Sequence, residues 1–68
     1  MKNLTIKQLA VYEFIRAKIV GGIPPTRQDI CDKFGYKSIN SAELMIKAII
    51  KKGYLLHVPG ISRGLRLP

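Results

Sequence analysis

The 68-residue chain predicts a mainly α-helical fold, three helices followed by a small β-hairpin, and three observations carry that expectation. Helix-capping residues recur at Thr5, at Thr26 and at Ser38 or Asn40, each ahead of an apolar run. Strong breakers follow each run: GGIPPT at 21–26, Gly35, and Gly53. Beyond Gly53 the apolar period changes to two, the spacing of a strand.

Taken in order, Thr5 with Gln8 three residues on forms a capping box and starts a first helix at about 6–20. Its apolar residues, Leu9, Val11, Tyr12, Phe14, Ile15, Ile19 and Val20, spread around much of the circumference, as expected of a helix with several neighbours. Thr26 caps a second helix at about 27–34, with Asp29 in the first turn, where a negative charge meets the positive end of the helix dipole. Ile30 and Phe34 are its core contacts, and Gly35 supplies a left-handed stop. Only Gly35, Tyr36 and Lys37 separate it from the third helix, so the pair reads as a helix-turn-helix. The third helix starts at Ser38 or at Asn40, which with Glu43 would make a second capping box, and it stops at Gly53. Wound at 100° per residue, Ala42, Met45, Ile46, Ile49 and Ile50 fall on one side of it. Asn40, Ser41, Glu43, Leu44, Lys47 and Lys51 fall on the other. In YLLHV, Tyr54, Leu56 and Val58 alternate with Leu55 and His57. In GLRL, Leu65 and Leu67 flank Arg66. The hairpin loop between these strands holds Pro59, Gly60, Ser62 and Arg63. Three helices followed by a hairpin is the order of a three-helix winged helix-turn-helix, here a single domain over 1–68.

Composition narrows the functions. At 47% hydrophobic the chain can build a core, although a domain this small is only marginally stable. One cysteine excludes an intrachain disulfide, and one cysteine with one histidine excludes a zinc site, so no metal or other cofactor is expected. Cys31 reads as a small buried hydrophobe and His57 as a strand residue without chemistry. The three tyrosines read as core edges. No nucleophile pairs with a base, and no apolar run reaches membrane length, so a non-enzymatic cytoplasmic protein without membrane contact is expected.

The net charge of +8, with pI near 10.1, is unevenly placed. Residues 1–32 carry five positive and three negative charges, residues 33–68 seven positive and one negative. Such asymmetry points to a polyanion, nucleic acid being the commonest. In a helix-turn-helix the second helix enters the major groove, and Ser, Asn and Glu suit base edges there. Ser38, Asn40, Ser41, Glu43 and Leu44 are therefore the candidate base readers. Phosphate contacts are expected from Thr26 and Arg27 at a helix start, from Lys37, Lys47, Lys51 and Lys52, and from Arg63 on the hairpin loop. Solvated faces and plain capping account for the same residues without DNA, and a protein-docking winged helix would use Leu44 and Met45 as apolar anchors.

In order along the chain, LTIKQ, FIR, PPTRQDI, FGYKSINSAE, KAIIKKGYL and GISRGLRL resemble the N-terminal DNA-binding domain of LexA repressors. The resemblance covers nearly the whole chain. It implies a winged helix-turn-helix that binds double-stranded DNA at palindromic operators with two half-sites, represses DNA-damage-response genes, and reads bases through Ser38, Asn40, Ser41, Glu43 and Leu44. The loop before IPPTR is one residue shorter than in the family. Leu44-Met45 stands where LexA repressors commonly have Glu-His, which separates this chain's base choice from the family's usual operator. The family's C-terminal domain, which dimerises and cuts its own linker with a Ser-Lys pair, is absent from these 68 residues. A monomer in isolation that pairs only on DNA is therefore expected, either as an excised domain or as a short regulator from a phage or mobile element.

Overall fold

The computed structural model describes residues 3–61 and 63–68; Met1, Lys2 and the hairpin-loop residue Ser62 lie outside them. Three α-helices, α1 (Ile6–Val20), α2 (Arg27–Phe34) and α3 (Ile39–Lys51), precede two short antiparallel strands, β1 (Leu56–His57) and β2 (Leu65–Arg66). The strand register pairs Leu56 with Arg66 and His57 with Leu65.

Local chemistry sets the helix starts. Thr5 Oγ1 accepts from the Gln8 amide at 3.1 Å and Gln8 Oε1 accepts from the Thr5 amide at 3.1 Å, the reciprocal capping box expected for α1. Asp29 does the same for Thr26, so α2 carries a full box closed by an aspartate. For α3 the cap is Ser38, whose Oγ accepts from the Ser41 amide. The Asn40–Glu43 box therefore does not form, and Asn40 lies inside the first turn of the helix with its side chain exposed. Gly35 closes α2 at φ 72°, where a side chain would be strained, and this conformation lets three residues turn the chain into α3.

The core gathers from every element. Val11 and Ile15 of α1, Ile30 of α2, Ala42, Ile46 and Ile49 of α3, Leu55 just before β1 and Leu65 of β2 are all buried, with Cys31 nearly so. The apolar side of α3 is thus its buried side, with Met45 and Ile50 half-covered at its margins. The tyrosines do sit at core edges: Tyr12 meets Tyr54 edge to face at 5.5 Å, and Tyr36 stacks on Phe34 at 6.1 Å.

The hairpin departs from the simple alternation. Leu55 is the buried residue of YLLHV, whereas Leu56 and Val58 are 53% and 37% exposed. Leu55 precedes β1 and drops into the core straight from the turn after α3, which shifts the inward position by one. Pairing covers two residues per strand, extended by the Val58 amide donating to the Gly64 carbonyl at 2.8 Å. Gly64 is buried in that closure, and a Cβ there would stand 2.4 Å from the Val58 carbonyl oxygen and 2.9 Å from that of Ile61. Neither obstacle is a side chain that can swing away. Gly64→Ala is expected to cost about 1–3 kcal/mol, read as a lowered Tm, by forcing the hairpin backbone apart.

Candidate nucleic-acid interface

Helix geometry sorts the outward side of α3. Asn40, Leu44, Lys47 and Lys51 follow one another at i, i+4, i+7 and i+11, a single line along the helix opposite its buried side, and all four are exposed. Leu44, 61% exposed, lies in the middle of this line between an amide and two ammonium groups. Ser38 and Ser41 are exposed at the helix start, their hydroxyls 3.3 Å apart. The Ser38 carbonyl accepts from the Cys31 thiol at 3.3 Å, which ties the turn between α2 and α3 to the core.

Glu43 points elsewhere. Its carboxylate is gripped by Arg27 of α2, with Nε donating to Oε2 at 2.5 Å and Nη2 to Oε1 at 3.4 Å. Arg27 Nη2 also lies 3.4 Å from His57 Nε2 on β1, so one guanidinium links α2, α3 and the hairpin. Both Arg27 and Glu43 are three-quarters covered or close to it. In the free domain neither is an open base or phosphate contact. Nothing local in the sequence signals this pairing or the contact with His57.

Two further cations are tied down. Lys52 Nζ donates to Gln8 Oε1 at 2.6 Å and to the Asn3 carbonyl at 3.1 Å, clasping the end of α3 to the capping box of α1. Arg63 folds back from the hairpin loop and donates to the Pro24 carbonyl at 2.8 Å and to Asp29 Oδ2 at 3.2 Å. Because that same Asp29 oxygen already accepts from the Thr26 amide, the N-terminus of α2 carries its own carboxylate. Lys37, Lys47 and Lys51 are exposed, and among the described residues none of them forms an ion pair.

Electrostatics follow this geometry. Hydrogen bonding from Arg27 holds the Glu43 carboxyl below its ordinary value against the opposing effect of partial burial, with the Arg27, Lys47 and His57 charges adding to the shift. The Thr26 amide does the same for Asp29, helped by the Thr26 hydroxyl and by Arg63. Both folded-state values are depressed, so the stability these carboxylates contribute is complete above the usual carboxylate range and fades as pH falls through the lowered values. At neutral pH Glu43→Gln is expected to lower stability by about 1 kcal/mol, and the difference from the parent closes once pH drops well below about 4. Thermal melts of both proteins across that range check the sign.

Three helices, the last two joined through a tight glycine turn, with a strand pair packed beside them and the polar line of α3 facing outward, define a winged helix-turn-helix domain. Residues 1–64 match the family of the LexA DNA binding domain, and the chain belongs to it. Among its relatives, the LexA repressor of Aeromonas hydrophila is 50% identical over 68 residues, covering 98% of this chain and 33% of the relative. The LexA repressor of Colwellia psychrerythraea is 48% identical, covering 98% of this chain and 32% of that protein. That of Shewanella frigidimarina is 45% identical over the whole of this chain and 34% of its own length. The chain thus spans about a third of the curated relatives it matches. No helix among the described residues is long and apolar enough to cross a membrane.

Proposed function

We propose that the domain binds double-stranded DNA sequence-specifically, with α3 in the major groove, and acts without catalysis as the DNA-reading part of a transcriptional repressor in the cytoplasm. The observation that carries this reading is the exposed line Asn40, Leu44, Lys47, Lys51 on α3. It runs from groups that address base edges, near the helix N-terminus, to ammonium groups suited to phosphates. Family membership, the charge excess of residues 33–68 and the outward-facing Ser38 and Ser41 support it. Glu43 then serves by aiming Arg27 and holding α3 against α2, and Thr26, Arg27, Lys52 and Arg63 reach phosphate only by exchanging bonds they already make. The operator carries two half-sites in palindromic arrangement, and the genes it controls belong to the DNA-damage response.

Leu44 sets the base preference. An exposed leucine gains nothing for folding, and the thymine methyl is the one apolar feature a base presents in the major groove. A glutamate at this position, as in LexA repressors, would instead accept from the cytosine amino group. Selection of sites from a random duplex pool is expected to give thymine at one operator position for the parent and cytosine there for Leu44→Glu, a swing of about tenfold to a hundredfold in relative affinity. Identical selected sites would show that Leu44 reads nothing. No enrichment of any sequence would favour the alternative that Leu44 anchors a protein partner.

A further inference from the structure

The surface of α1 opposite the core differs from the rest of this basic molecule. Ile6, Leu9, Ala10, Glu13, Arg16, Ala17 and Val20 are all exposed along it, five of them apolar and the two charges opposite in sign. Ile6 is 89% exposed, Val20 71% and Ile23, just past the helix end, 63%. Among the described residues neither Glu13 nor Arg16 has an ion-pair partner. Within this face, Ile6, Leu9, Glu13, Arg16 and Val20 are spaced alternately three and four residues apart, which is the spacing of a coiled-coil seam.

From this pattern we infer that α1 docks on α1 of a second copy of the chain, antiparallel, about a two-fold axis passing between Phe14 and Ile15. The register is dictated by charge. A two-fold contact is self-complementary, so a Glu13 facing Arg16 of the second copy brings Arg16 opposite the second Glu13. The same register sets Leu9 against Val20, apolar on apolar on either side of the charged centre of the 15-residue helix. In a protein of net charge +8 this is a face of zero net charge, where the repulsion between two copies is weakest. One helix face buries less than the roughly 800 Å² per partner of a stable complex. The contact therefore leaves the domain monomeric at micromolar concentration and forms near millimolar, or where two domains are held close together. It is independent of DNA reading by α3, which lies on another helix.

Sedimentation equilibrium of the free domain from about 10 μM to 2 mM tests it. The parent is expected to move from monomer toward dimer mass at the upper end. Glu13→Arg alone and Arg16→Glu alone place like charges opposite each other and should each weaken association by about tenfold. An equimolar mixture of the two single variants, and the double exchange Glu13→Arg/Arg16→Glu, should both associate as the parent does. A parent that stays monomeric throughout, single variants that associate normally, or a mixture that fails to associate would each overturn the proposal. Both positions are exposed, so each variant is expected to melt within a few degrees of the parent.

Discussion

Raising salt from 50 to 200 mM is expected to weaken binding to a two-half-site duplex by roughly a thousandfold. The magnitude follows from which cations are available. Lys37, Lys47 and Lys51 are exposed and among the described residues without ion-pair partners, whereas Arg27, Lys52 and Arg63 already donate to acceptors of the protein itself. Each phosphate neutralised contributes about 0.9 to the slope of log K against log salt, so three lysines per domain give a slope near −3 on one half-site and near −5 to −6 on two. If the tethered cations also let go and reach phosphates, the single-site slope steepens to about −5. Titrations at four or five salt concentrations separate the two cases. Lys51→Ala should flatten the single-site slope by about one and weaken all sequences alike, while Lys52→Ala should leave the slope nearly unchanged and lower Tm, because its ammonium holds α1 to α3. A salt-insensitive affinity would remove the electrostatic basis of the proposed function.

That distinction among the cations was not legible in the sequence, and the reason is physical. Helix boundaries are written locally: Thr5 with Gln8 and Thr26 with Asp29 are three residues apart, and the expected spans 6–20 and 27–34 coincide with α1 and α2. The buried side of α3 follows from its period alone, and Cys31 as a core residue follows from its type. The long-range polar contacts are different. Arg27 pairs with Glu43 across 16 residues and Arg63 with Asp29 across 34, and Lys52 hydrogen-bonds Gln8 across 44. No periodicity encodes such meetings, so a basic residue bound within the fold looks the same in sequence as one open to a ligand. The hairpin was half-legible for a related reason. YLLHV is apolar at both alternating sets of positions, so its period announces a strand without choosing the inward face. Packing chose Leu55. For α3 two caps competed, and Ser38 prevailed, which releases Asn40 from capping and leaves its amide exposed at the head of the outward line.

Joining two domains by a flexible linker is expected to raise affinity for a two-half-site duplex by about 10²–10⁴ without any new contact. The gain is geometric. Half-sites one helical turn apart have centres about 34 Å apart, and the domain measures 28 × 23 × 21 Å, so two copies fit side by side without overlap. A Gly/Ser chain spans about 5–6 Å times the square root of its length, which makes a linker of roughly 40 residues match that separation. The second domain then binds at an effective concentration near millimolar instead of from dilute solution. Phasing provides the control. Adding about 5 bp between half-sites turns the second one to the opposite side of the duplex. The linked protein should lose most of its advantage there and regain much of it at about 10 bp of added spacing with a longer linker. Equal affinity at the half-turn spacing would mean that the two domains do not occupy phased half-sites. An affinity no better than that of the single domain at any spacing would mean that the duplex offers only one site for this protein.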